Sequence, residues 1–167
     1  MTTVSETVEI RAPVEAVFAH IDDIRNLGWH MTSRSSMAMM GSRLKLEILS
    51  DQRTGLGATY RYSGTVMELS IDFSESVTNY LPPREKVWRT IGKPQLLIIA
   101  SYEMRAAVEP LSPTSARLTI SIVYELPRSA FWRIVGLLLA RPYSRWCLRR
   151  MLQDARCASK PPGRVTA

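Results

Sequence analysis

Glu75 interrupts an otherwise apolar alternation, Ile71, Phe73, Glu75 and Val77, in a stretch that reads as a strand. A carboxylate in such a row points wherever its apolar neighbours point. In an apolar interior it can orient a polar substrate group or exchange a proton with it. Arg89, on the segment that returns after Pro82 and Pro83, is expected diagonally across from Glu75, giving a carboxylate–guanidinium pair; an outward face or a bulge is the competing explanation. Tyr60, Tyr62, Tyr102 and Tyr124 occupy alternating positions in three further strand-like runs. If those rows face inward they place phenols in an oily interior, where each seeks a partner on the protein, bridging sheet and helix, or on a ligand. Trp88 belongs with them, although its face is not fixed by the pattern.

The histidines offer less. His30 adjoins a stretch with Met31, Met37, Met39 and Met40 among serines, which reads as an adaptable loop or lid, and a lid can bring a polar group over a cavity mouth. His20, Asp22 and Asp23 cluster at the end of a short helical run, where capping accounts for the aspartates. With two histidines in the chain and neither cysteine at ligand spacing, no metal or other cofactor is expected. Cys147 and Cys157 fall about 15 Å apart along one helix, too far for a disulfide, and read as free thiols. Gly55-Leu56-Gly57 reads as a turn, and neither a phosphate-binding glycine loop nor Gly-x-Ser-x-Gly is present.

These residues need a scaffold, and the apolar periodicity supplies one. Val4, Val8 and Ile10 mark a first strand that Glu6 interrupts, and Pro13 opens a helix carrying Val14, Val17, Phe18 and Ile21. Ile24, Leu27 and Trp29 suggest a second short helix. From Arg43 to Leu126 the period is two, through six strands: 43–48, 58–66, 69–81, 85–91, 95–109 and 116–126, with Gly92, Lys93 and Pro94 as one of the turns. Leu126-Pro127-Arg128-Ser129 ends the strands and caps a long helix to Ala155. Its first half, with Phe131, Trp132, Ile134, Val135, Leu137, Leu138 and Leu139, is apolar on nearly every side and is expected to be buried by a concave sheet. Pro142 should bend or break the helix, leaving a half-buried second part.

Net charge is +7, yet residues 128–164 hold nine basic residues against Asp154 alone, while the preceding 127 sum to −1. Basicity is therefore local to the last helix and tail. It suits a solvated face at a helix C-terminus, or peripheral contact with an anionic membrane. No nucleic-acid partner is expected, because no aromatic-basic or helix-turn-helix pattern accompanies the charge. Met1 to Glu6 lacks the basic and apolar regions of a signal peptide, so a cytoplasmic setting is expected. The chain is read as one domain over residues 1–157 with a disordered basic tail over 158–167, and its oligomeric state is left open.

The order strand, two helices, six strands, long helix resembles the START-like helix-grip superfamily, also called SRPBCC, which spans plant pollen allergens, lipid-transfer domains and polyketide cyclases. The run from Val8 to Asp23, VEIRAPVEAVFAHIDD, looks like the opening of polyketide cyclase/dehydrase-type members, and Trp29 stands where that opening often carries tryptophan. The resemblance implies an α+β helix-grip fold: a curved antiparallel sheet of about seven strands wrapped around a long C-terminal helix, with two short helices after strand 1. It also implies a cavity between sheet and helix, entered beside the loops after the short helices. The expected function is binding of a small hydrophobic molecule, such as a lipid, isoprenoid or polyketide-like compound. Trp29, Tyr60, Tyr62, Trp88, Tyr102, Tyr124, Phe131 and Val135 are expected to line that site, with Glu75, Arg89 and His30 as its polar groups. The alternatives are a polyketide cyclase or dehydratase, and an interaction module that uses the basic helix.

Overall fold

Apolar residues that recur at every second position must share one face of a strand, and seven such strands here build a single antiparallel sheet. The computed structural model describes residues 1–27, 43–66 and 68–158. Its elements are β1 (Thr2–Ile10), α1 (Val14–Asp22), α2 (Ile24–Leu27), β2 (Arg43–Ile48), β3 (Thr59–Val66), β4 (Leu69–Leu81), β5 (Glu85–Gln95), β6 (Ser101–Ser112), β7 (Ser115–Glu125) and α3 (Ala130–Ala158). The strands run in the spatial order β1-β7-β6-β5-β4-β3-β2, so the first strand pairs with the last. This is the curved sheet and long C-terminal helix of the α+β helix-grip fold.

Register places the inward rows. Tyr60 lies opposite Glu75, Tyr62 opposite Phe73, Val77 opposite Trp88, Trp88 opposite Met104, and Tyr102 opposite Tyr124. Nearest α1 the interior is aliphatic, with Ile10, Ile21, Leu118 and Ile120 each at most 1% exposed. Side chains of this size contribute about 1.5–3 kcal/mol apiece on burial. The segment Gly92 to Pro94 is not a turn between strands. It lies within β5, where the chain from Ile91 to Gln95 faces only Asp72 to Ser74, so a bulge absorbs the surplus residues. Gly92 adopts φ +70 there, and Pro94 is tolerated because a bulge leaves backbone donors unpaired.

The long helix reverses the expected packing. Gly136, Ala140, Ser144, Leu148, Met151, Leu152 and Ala155 are buried, whereas Phe131, Ile134, Leu137, Leu138 and Leu139 are exposed. Small residues at four-residue spacing in the first half let the helix backbone approach the chain beneath it. A Cβ added at Gly136 would lie 2.5 Å from the Ile98 carbonyl oxygen and 2.9 Å from Leu126 Cδ2. Gly136→Ala is therefore expected to destabilise by about 1–3 kcal/mol through overpacking, despite the roughly 1 kcal/mol gained in helix propensity. A urea titration that showed the alanine variant equal to or above wild type would refute this close approach.

The helix also runs unbroken through Pro142. Pro142 and Leu138 are both exposed, so water can serve the Leu138 carbonyl that the missing N–H leaves unpaired. The helix packs mainly on β1. Glu6, which breaks the apolar pattern of β1, points toward that helix and lies 3.3 Å from Arg145 and 3.5 Å from Arg149. The interruption is a helix-to-sheet ion pair rather than a flaw in the strand.

Candidate functional site

Two polar constellations occupy the inner face. The first is Glu75 with Tyr102. Glu75 is 2% exposed, and the Tyr102 hydroxyl donates to its Oε2 at 2.6 Å. Around them, Tyr62 stacks on Phe73 with ring centroids 5.0 Å apart, and the Phe73 ring meets Tyr102 edge-on at 6.1 Å. Burial in these aromatic surroundings pushes the Glu75 carboxyl up to about 7, although the Tyr102 hydrogen bond and the positive Lys86 pull the other way. The same burial drives the hydroxyls of Tyr62 and Tyr102 well above the ordinary tyrosine range, so both stay protonated as donors.

Arg89 is not the partner of Glu75. Thr90 stands opposite Glu75 and Arg89 opposite Ser76, which puts the guanidinium on the outer face, exposed and across from Glu103. A shift of one residue in register inverts a side chain's face, and the diagonal expected from the sequence is off by that one residue. Glu75 itself does face the interior. Its partner lies two strands away, on β6.

The second constellation has no counterpart in the sequence pattern. Lys86, 1% exposed, donates from Nζ to the Asp22 carbonyl oxygen at 2.8 Å and to Asp22 Oδ1 at 3.0 Å. The Tyr80 hydroxyl donates to the other carboxylate oxygen, Oδ2, at 2.8 Å. Asp22 closes α1, so the ammonium sits at a helix C-terminus where the free carbonyls favour a cation. The Trp88 ring adds a face 6.0 Å away. Burial still pulls the lysine below its ordinary range. The one clue in the sequence is that Lys86 lies two residues from Trp88 and shares its face. Asp23, by contrast, does what capping predicts: its Oδ1 accepts from the Arg25 amide at 3.0 Å at the start of α2. His20 is half-buried, and burial lowers its pKa.

Of the aromatic residues expected in the site, Tyr60, Tyr62, Trp88 and Tyr124 are buried and Tyr102 is half-buried, all on the inner face. Tyr60 is already engaged, its hydroxyl donating to the Arg53 carbonyl at 2.6 Å. Val135 is half-buried. Phe131 is 67% exposed and stands outside the interior, because the small residues of α3 take the inward line. Trp29, His30 and the methionine-rich stretch lie outside the described residues. A separate cleft of about 400 Å³ opens at the β4–β5 bulge between Arg61, Asp72, Ser74, Ile91 and Lys93. The Arg61–Asp72 ion pair at 2.6 Å gives it a polar wall unsuited to an oily ligand. Among the described residues no three His, Cys, Asp or Glu side chains converge as metal ligands would.

With this geometry in place, residues 1–156 match the family described as polyketide cyclase / dehydrase and lipid transport. The chain belongs to that family. Solved structures agree on the fold. The Zhui aromatase/cyclase from Streptomyces sp. R1128 superposes with a TM-score of 0.66 at 17% identity, covering 97% of this chain and 98% of its own. Norcoclaurine synthase from Thalictrum flavum, a point mutant in complex with a transition-state analogue, gives 0.66 at 16% identity, covering 95% and 93%. The protein TTHA0849 from Thermus thermophilus gives 0.65 at 16% identity, covering 95% of this chain and 100% of its own. At such identities the likeness is one of fold. No curated protein matches the sequence.

Proposed function

We propose that this member of the family encloses a small hydrophobic molecule, of lipid, isoprenoid or polyketide-like type, between the inner face of the sheet and α3. Glu75 and Tyr102 hold a polar group on it. Glu75 carries this reading. It is buried among aromatic rings with no cation at ion-pair distance among the described residues, an arrangement that costs stability relative to an apolar side chain of similar size. A ligand hydroxyl or carbonyl that shares the Tyr102–Glu75 hydrogen bond accounts for the carboxylate where packing alone does not. The family's description is consistent with it.

Native mass spectrometry of the intact protein tests the proposal. A bound species of a few hundred daltons, released on denaturation and depleted in Glu75→Gln and Tyr102→Phe, is the expected result. A bare chain that also takes up no added long-chain fatty acid or aryl polyketone would end it.

A second reading is favoured by the same pair. A carboxyl that titrates near 7 exists in both forms at neutral pH, as a general acid–base must, and a phenol 2.6 Å away can polarise a carbonyl. Glu75 would then take a proton from carbon next to a ketone, and the Tyr102 hydroxyl would steady the enolate oxygen, as cyclisation or dehydration of a polyketide-like chain requires. Turnover of such a chain should rise with pH through a midpoint near 7 and vanish in Glu75→Gln. Turnover independent of Glu75 would leave the pair a binding role alone.

A further inference from the structure

We infer that the outer face of the N-terminal half of α3 is a docking surface for an anionic lipid bilayer, whatever the pocket holds. The first observation is the inverted packing of the helix. Gly136, Ala140 and Ser144 turn toward the fold, while Phe131, Ile134, Leu137, Leu138 and Leu139 are each more than half exposed. Five large apolar side chains within nine residues make a continuous oily patch, of a kind that marks an interaction surface when it is found on a folded chain. Phe131, Ile134 and Leu138 follow one line along the helix at i, i+3 and i+7, and Arg141 prolongs that line, whereas Arg145, one turn further on, is engaged with Glu6 of β1.

Charge selects the partner. Arg128, Arg133 and Arg141 surround the patch, and no acidic residue occurs from Leu126 to Gln153. The partner must therefore present apolar matter beneath a negative surface, which describes an anionic bilayer. A second copy of this chain fits less well, because a two-fold contact would set these arginines against their own images. No described helix is long and apolar enough to cross a membrane, so α3 would lie in the interface plane with its apolar line inserted. The sheet-facing line of α3 stays in place in this arrangement, and the fold need not open.

Sedimentation with vesicles of phosphatidylcholine alone, or mixed with phosphatidylglycerol, tests the inference at low and high salt. Wild type should partition onto the mixed vesicles at low salt and leave them as salt rises. The triple variant Phe131→Ser, Ile134→Ser, Leu138→Ser should bind at least about tenfold more weakly, as should Arg133→Ser with Arg141→Ser, since each arginine near the surface is worth roughly 1 kcal/mol. None of the five residues is buried, so the far-ultraviolet spectrum and melting of both variants should match wild type; if the serine triple unfolds, the arginine pair decides alone. Absence of binding to the mixed vesicles at low salt overturns the proposal. Equal binding by wild type and the folded variants does so as well. A wild-type dimer that the triple variant dissociates, without vesicle binding, would instead assign the face to self-association and overturn it too.

Discussion

Replacing Asp22 with alanine is expected to cost about 3–5 kcal/mol of folding stability, more than any other single substitution proposed for this chain. The substitution removes the only carboxylate within hydrogen-bond reach of the Lys86 ammonium among the described residues and leaves that charge with the Asp22 main-chain carbonyl. Tyr80 loses its acceptor in the same step. Domains of this size are stable by about 5–15 kcal/mol, so the variant should sit close to its unfolding threshold at ambient temperature. Removing both charges gives the opposite lesson. Asp22→Leu combined with Lys86→Met should recover most of the loss, because an apolar pair of similar volume has no desolvation cost to offset. Urea titration of Asp22→Leu, Lys86→Met and their combination reads the coupling directly. A single-variant loss below about 1 kcal/mol would mean that the ammonium finds water or another partner, and that the contact is no more than a surface ion pair.

Glu75→Gln is expected to stabilise the protein in a pH-dependent way. In the folded state the carboxyl titrates at about 7, against 4.5 for the free side chain. Between those values the folded chain holds a proton that the unfolded chain has released, so wild-type stability is greatest below about 4.5 and falls as pH rises through about 7. The shift corresponds to about 3 kcal/mol. Glutamine has no proton to lose and can still accept from Tyr102, so the gap between variant and wild type should open from near zero at about pH 4.5 to about 3 kcal/mol at about pH 8. Chemical denaturation at a series of pH values measures that gap. A constant difference across the range would show that Glu75 ionises as an ordinary carboxyl, and the acid–base reading would fall with it.

Most of the sheet is legible in the sequence because one face of it is buried. The alternation of Ala116, Leu118, Ile120, Ile122 and Tyr124 fixes β7 to within a residue, and Tyr60, Tyr62 and Tyr102 follow by the same period. What the pattern does not hold is pairing across strands. Arg89 falls diagonal to Glu75 only in a regular hairpin, whereas bulges shift the β4–β5 register between Asp72 and Ser74 and again between Val77 and Asn79. Lys86 and Asp22 escape notice because they are 64 positions apart and each has an ordinary explanation by itself, a solvated strand residue and a helix-end aspartate. For α3 the reason is physical. Apolarity suggests which side faces inward, but at close approach size decides, and Gly136 fits under the Ile98 carbonyl where leucine would not.

Pairing of the first strand with the last has a bearing on biosynthesis. Thr7 meets Thr119 across 112 positions of chain, so β1 finds no ladder until β7 begins to be made, where Ala116 faces Ile10. At ordinary translation speeds that wait is on the order of ten seconds. Throughout it, Val4 and Ile10 travel on an unpaired β edge beside the ribosome, and the apolar rows of β2 to β6 lack their closing neighbour. The nascent chain should therefore engage holdase chaperones early and release them late, and α3, which follows β7 in the chain and packs mainly on β1, should dock only after that pairing.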